Sequence, residues 1–405
     1  MPDLERLSDA AMLTIPSPVA ARFTPDEIAT LLTLRRDLHQ HPELSNAEHR
    51  TAATLVAQLG SLGITDVRRV GATGVVARMP GSHPSAPVVA LRGDIDALPI
   101  LEATGLPFTS AVPGVMHACG HDVHATWVIG AAMDLLRVPA RGDVLLVLQP
   151  AEEIGAGALA ILDSGALDGA AMIFGAHVDR RFTVGQVVAE AGPLAASTDT
   201  VTITLLGRGA HGARPHEAAD PVVAAAAVIM ALQTVVSRRI DPARPAVCTI
   251  GSIQAGVAAN VIPETASMTG TLRAMDAATR ATLIAEVRRI ATDVAAAHGV
   301  SATVVFDEGT PPIVNPPQAA ALARKAAIRA VGADNVVPFN IVNMGGEDFA
   351  FYMERMPGCF LRIGARRDGE SATAAHSPRF DVAEEAILIG AAVLAECARV
   401  ATAAS

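Results

Sequence analysis

Val144-Leu145-Leu146-Val147-Leu148-Gln149-Pro150-Ala151-Glu152-Glu153 is the stretch on which the reading of this chain turns. Five consecutive apolar residues suit a strand buried on both faces, as in a parallel sheet. Gln149-Pro150 breaks the run, and two adjacent carboxylates follow. A second apolar run, Ala171–Gly175, ends in Ala176-His177. Two buried strands that each stop at an ionisable residue predict an α/β sheet presenting chemistry at its carboxyl edge. Neighbouring glutamates repel, so a site keeping both requires compensating charge, and a metal cation is the simplest source. Taken alone, the pair reads better as solvated carboxylates opening a helix. What lies upstream reverses that.

Pro87–Leu91 reads as a strand running into Arg92-Gly93-Asp94-Ile95-Asp96-Ala97-Leu98-Pro99. Aspartates at alternate positions of a strand end point the same way. Such a pair suits metal binding or holding an imidazole in one tautomer, with capping of loop amides as the plainer alternative. Met116-His117-Ala118-Cys119-Gly120-His121-Asp122-Val123-His124 then packs five ligand-type residues into eight positions, ahead of a helix through Trp127, Ile129 and Leu135. A thiolate beside imidazoles and carboxylates suits zinc or a similar divalent metal. Spacing permits His117 with His121 on one helical face, or Cys119 with His121 on an extended loop, and does not choose between them. An inert buried thiol is the weaker reading of Cys119. His39 and His41 read as a helix-to-loop junction rather than as ligands.

The 405 residues leave room for two domains, and 51% hydrophobic with 18% charged residues marks a globular chain. With 31 basic against 41 acidic residues the net charge is −10, and no Lys/Arg run offers a nucleic-acid footprint. Cys119, Cys248, Cys359 and Cys397 lack disulfide-like spacing, which fits a reducing compartment. The opening Met-Pro-Asp-Leu-Glu lacks the basic and apolar regions of a signal peptide. Pro221–Val236, the most apolar long segment, is short for a bilayer and reads as a buried helix with Asp220 as N-cap. A soluble cytoplasmic protein without membrane or nucleic-acid partners is expected.

Residues before about Arg22 lack a strong period and are expected to form a mobile leader. Thr24-Pro25-Asp26-Glu27 is a capping box opening a helix that buries Ile28, Leu31, Leu34 and Leu38; Ser45 and Glu48 repeat the device for a helix through Leu62. From about Leu194 the order becomes strand (Thr200–Leu205), glycine-rich turn (Gly207–His211), helix (Pro221–Ser237), strands (Val247–Ile253, Ala266–Arg273), helix (Ala278–His298) and strand (Ala302–Phe306). This βαββαβ order is a ferredoxin-like α+β unit inserted into the α/β fold. The earlier style returns from Pro311 with a helix, a strand at Cys359–Ile363 and a closing helix from Val382. The expected boundaries are 1–193 with 308–405, and 194–307.

Together these residues resemble the metal-dependent amidohydrolases of the M20 peptidase family, in the branch with hippurate hydrolase and indole-acetyl-amino-acid hydrolases. Arg92–Pro99, Met116–Asp122, Gln149–Glu153, Gly175–Val178 and His376–Pro378 each look like a family motif. Ala210–His216, Asn260–Glu264 and Gly345–Asp348 match its lid segments. Eight motifs in order are specific where one would be weak. The resemblance implies a zinc-peptidase-like three-layer catalytic domain, with the ferredoxin-like unit as lid and dimerisation domain. It assigns ligation of two divalent ions (zinc, manganese, cobalt or nickel) to Cys119, His121, Glu153, His177 and His376. Glu152 becomes the general base and Asp96 the orienter of a ligand. His211 becomes the oxyanion partner, often lent by the second subunit of a homodimer. Asn260, Arg273 and Gly346 fall at substrate contacts. Gly209-Ala210 stands where many relatives have paired glycines, a departure that bears on loop geometry. His39, His41, His117 and His124 receive no ligand role.

The implied chemistry is coherent. Divalent cations make water a usable nucleophile near neutral pH, and Glu152 can pass its proton to a departing amine. The metals and a lid histidine stabilise the oxyanion, and Arg273 can clamp a substrate carboxylate through two parallel hydrogen bonds. The expected reaction cleaves the amide of a small N-acyl amino acid, with a dipeptidase and an N-carbamoyl amino acid hydrolase as neighbouring readings. A metal-holding protein without catalysis would have little reason to keep Glu152, which stands outside the ligand set. A nucleotide-binding protein would need a phosphate loop, and Gly207-Arg208-Gly209 does not continue into one.

Overall fold

The computed structural model describes residues 15–403. They divide into two compact units, each with its own hydrophobic core. The first comprises the chain through Gly192, Asn315–Asn340 and the residues from Phe351 onward; the second comprises Pro193–Val314 and Ile341–Ala350.

In the first unit the deciding stretch forms the strand Val144–Gln149, buried at all six positions. It lies in a seven-stranded sheet. Its parallel neighbour is Val88–Asp94, followed by Ala170–Thr183 and Gly358–Arg366, also parallel. Gly74–Met79 and Val67–Val70 extend one side antiparallel, and Val187–Val188 closes the other. Parallel neighbours require a crossover. The helix His121–Arg137 supplies it between Val88–Asp94 and Val144–Gln149.

The helix Pro25–Gln40 opens with the expected capping box, Thr24 and Glu27 each accepting the other's backbone N–H. The second box does not form. The helix starts at His49, and its N-cap Glu48 makes no capping bond. Ser45 and Glu48 serve distant partners instead, as described below. Within the expected leader, Ser17–Ala20 is a short helix that buries Val19, which corrects the reading for residues 15–21; residues 1–14 lie outside the described residues.

The closing helix, Glu385–Ala403, packs against His121–Arg137 and Pro317–Val331. A Cβ added at Gly390 would sit 2.2 Å from the ring of the wholly buried Trp127. Gly390→Ala is therefore expected to lower stability by about 1–3 kcal/mol through overpacking. A urea midpoint equal to wild type would contradict that contact.

The second unit is a four-stranded antiparallel sheet in the order Ala246–Ala255, Thr265–Ala274, Asp199–Leu206, Ser301–Glu308. Helices Pro221–Arg239 and Ala277–Ala297 pack on it, giving the βαββαβ order. Asp220 caps the first helix by accepting from Val222 and Val223. That helix is not buried all round: Val228, Leu232 and Val235 face the core, whereas Val223 and Met230 are 53% and 72% exposed. Pro221–Arg239 and Glu385–Ala403 are both long and apolar enough to cross a membrane by length and composition, yet the second is 89% buried within its unit. Ile341–Ala350 joins the second unit, where Ala196 N–H donates to Gly345 O at 2.9 Å, whereas the expected boundary places it with 308–405.

Candidate metal centre

The parallel strands bring the chemistry to one edge of the first sheet. Asp94 is the last residue of its strand, paired with Gln149, and Asp96 lies two residues beyond. Glu152 and Glu153 occupy the turn after Gln149-Pro150. His177 does not end its strand as expected: pairing with Gly358–Arg366 continues, with His177 opposite Arg362. Cys119 precedes the His121 helix, and the Gly120 between them has φ +90°. A Cβ at Gly120 would lie 2.5 Å from Val178 Cγ2, so glycine is required on both counts.

These residues converge. Cys119 Sγ lies 3.3 Å from His177 Nε2, and His376 Nε2 lies 3.4 Å from Glu153 Oε2. His121 Nε2 is 3.8 Å from Glu153 Oε1 and 3.9 Å from Glu152 Oε2. Three overlapping trios have ligand atoms within 4.8 Å of one another: Cys119, His121, His177; Cys119, Glu153, His376; and His121, Glu152, Glu153. His117, the rival on spacing, belongs to none of these trios; it is buried with its ring 6.3 Å from that of His39.

The tautomers follow from the partners. His121 Nδ1 faces the Asp96 carbonyl at 2.9 Å and Asp96 Oδ1 at 3.1 Å. Both are acceptors, so in the neutral ring Nδ1 carries the proton and Nε2 keeps its lone pair. His177 Nδ1 likewise donates to Val178 O at 2.7 Å. Asp96 does more than orient one ring, for Oδ2 also accepts from Ser45 Oγ at 2.7 Å and from Glu153 N–H at 3.0 Å. Behind the centre, Asp94 Oδ1 accepts from His124 Nδ1 at 2.6 Å, and His124 Nε2 accepts from Val178 N–H at 3.0 Å.

The electrostatics are those of a centre prepared for positive charge. Burial, reinforced by the Glu153 charge, pushes the Cys119 thiol far up. Burial also holds His177 well below the usual histidine range, with His124 and Arg362 adding to it. For His121 burial acts downward, but Asp94 and Asp96 outweigh it and raise the ring well above its ordinary value. Among the described residues, buried His121 Nε2 and Glu153 Oε1 have no hydrogen-bond partner. Leaving such atoms unmet is costly, and a divalent cation resolves it. A thiolate, imidazoles and a carboxylate are donors that suit one. Asp96→Asn, which can offer Nδ2–H where Oδ1 accepted, is expected to weaken cation affinity by about 10–100-fold. Unchanged affinity by calorimetry would contradict the orienting role.

The second-unit candidates fall into two groups. Ala210–His211 pairs antiparallel with Val261–Ile262, so the glycine-rich segment ends in a short ladder and Ala210 is accommodated opposite Ile262. Gly212 N–H donates to Asn260 O at 2.8 Å, bringing Asn260 beside His211. His211 Nδ1 accepts from Ala213 N–H at 3.1 Å, leaving Nε2 as the donor of the neutral ring. Arg273 and Gly346 form the other group. Half-buried Arg273 donates Nε–H to Thr271 Oγ1 at 3.1 Å, and a Cβ at Gly346 would lie 2.2 Å from Thr198 Cγ2. Arg273 stands eight residues along Thr265–Ala274 from the end next to the His211 ladder, roughly 25 Å by strand rise.

Sequence reasoning missed Ser45 and Glu48, read as helix caps, and the place of His124 behind the centre; that an aspartate of the Asp94/Asp96 pair holds an imidazole was among its readings. No local signal marks the first two, whose partners lie far along the chain; His124 stood in the ligand cluster without an assignment.

The chain is similar to known proteins in sequence and in fold. The sequence model of Peptidase family M20/M25/M40 matches residues 90–400. N-acetylcysteine deacetylase of Bacillus subtilis (strain 168) is 41% identical over 372 residues, covering 91% of this chain and 96% of that protein. IAA-amino acid hydrolase ILR1-like 5 of Arabidopsis thaliana is 38% identical, covering 91% and 86%. The crystal structure of the Bacillus subtilis YXEP protein, described as a dinuclear metal binding peptidase from the M20 family, matches at a TM-score of 0.83 and 37% identity, over 93% of this chain and 99% of that one. With matches of this extent, the chain belongs to peptidase family M20.

Proposed function

We propose that the protein hydrolyses the amide bond of N-acyl amino acids, releasing a carboxylic acid and the amino acid. In this reading Cys119, His121, Glu153, His177 and His376 hold two divalent cations. The observation that carries it is the convergence of these donors, two with unmet buried atoms, beside Glu152. Similarity to a deacetylase of N-acetylcysteine and to a hydrolase of IAA-amino acids supports the substrate class. The bound cations would supply Lewis acidity to a carbonyl oxygen and to water. Glu152 takes the attacking water's proton and delivers it to the leaving nitrogen. Asp96 keeps His121 in the tautomer that frees Nε2 and anchors Glu153 through its N–H. His211 offers Nε2–H to the developing oxyanion, and Asn260, Arg273 and Gly346 bind substrate.

We also infer a homodimer, which the spacing within the second unit supports. One strand cannot present both ends to a single small substrate, so in a homodimer His211 with Asn260 and Arg273 with Gly346 would act on different substrate molecules. We further infer a cytoplasmic protein, in keeping with four free cysteines. The test is a panel of N-acetyl, N-benzoyl, N-lauroyl and N-carbamoyl amino acids and dipeptides, run with zinc, manganese, cobalt or nickel added back. The highest kcat/KM is expected on an N-acyl amino acid. Exclusive turnover of dipeptides or carbamoyl compounds would replace this reading with one of its neighbours.

A further inference from the structure

Glu48 is wholly buried at the start of the His49–Ser61 helix, yet it does not cap that helix. Its Oε1 accepts from Ala151 N–H at 2.9 Å, and its Oε2 accepts from the Thr73 hydroxyl at 2.7 Å. Burial pushes this carboxyl up despite both bonds. Ala151 has φ +52°, a left-handed backbone that an L side chain adopts only when its surroundings enforce it. Its carbonyl accepts from both Ala156 and Gly157 N–H at 3.1 Å, and a Cβ at Gly157 would lie 1.6 Å from Pro150 O. The turn that carries Glu152 and Glu153 is thus tightly built from a strained residue. Glu153 has a separate anchor in Asp96, through its own N–H. For the N–H of Ala151, immediately before Glu152, the acceptor is Glu48.

We propose that Glu48 is a positioning residue for the general base: its buried carboxylate holds Ala151 in the left-handed conformation that aims Glu152 into the centre. The proposal rests on Glu152 being the base, so the experiment includes a control for that reading.

Glu48→Asp keeps the charge and most of the volume but withdraws the acceptor by one methylene, while Glu48→Gln keeps an acceptor oxygen in place. Glu48→Asp is expected to lower kcat about 10–100-fold, with KM within about twofold and cation content unchanged. Amide hydrogen exchange across residues 150–157 should quicken in the same variant. Glu48→Gln should stay near wild type. Adding Ala151→Gly to Glu48→Asp should recover most of the lost kcat, because glycine holds a positive φ without help. Wild-type kcat and exchange in Glu48→Asp, alongside inactive Glu152→Gln, would overturn the proposal alone. Loss of cation in step with kcat would also overturn it, by making Glu48 a support for the ligands. An active Glu152→Gln would remove the base itself, and the proposal with it.

Discussion

Glu152→Gln is expected to bind cations as wild type does and to lose about 10²–10⁴-fold in kcat. The amide keeps the size and one acceptor oxygen of the carboxylate but cannot take a proton at neutral pH. Glu152 Oε2 stands 3.9 Å from His121 Nε2, within reach of the centre. Glu153 is differently placed, its two oxygens facing His121 and His376 at 3.8 and 3.4 Å. On the proposed reading Glu153, which reaches both histidines, holds cations, and Glu152 moves the proton. Near wild-type kcat in Glu152→Gln would refute the assignment. Loss of cation in that variant would show instead that Glu152 is a ligand.

Removing the cations is expected to have the larger effect. Chelation should abolish turnover and lower stability, since cation at 100 times its Kd adds about 2.7 kcal/mol. Cys119→Ala should reproduce the loss of activity even with metal added. The pH dependence has a definite sign. Burial and Glu153 raise the Cys119 thiol, so the metal-free protein holds that proton at neutral pH. Ligation expels it, so apparent affinity should rise with pH and binding should release protons. Calorimetry in buffers of different ionisation enthalpy measures that release. An affinity that is flat or falls with pH would contradict Cys119 as a ligand.

Much of the first unit could be read from residue order because its central strands are buried on both faces and write themselves as continuous apolar runs. His177 shows the limit of that signal: an apolar run ends where polarity begins, whereas ladder hydrogen bonds continue to Thr183. Ser45 and Glu48 show another. Their spacing imitates a capping box, but Asp96 recruits the first and Ala151 the second, partners that only the folded chain brings near. The Pro221–Arg239 helix misled through alanine, which is compatible with either a buried or an exposed face. At the centre, local spacing could not separate His117 from Cys119. The resemblance carried by eight motifs along the chain favours Cys119, and the turn at Gly120 sets it just before the His121 helix. The left-handed Ala151 left no trace in residue type, since nothing about alanine announces a positive φ.

Anomalous diffraction from crystals loaded with zinc or manganese is the most direct test of the central claim. Two cation peaks are expected at ligand distances, about 2.0–2.3 Å for zinc, from Cys119, His121, Glu153, His177 and His376. Cations bound elsewhere, with these five side chains making no contact to them, would contradict the account.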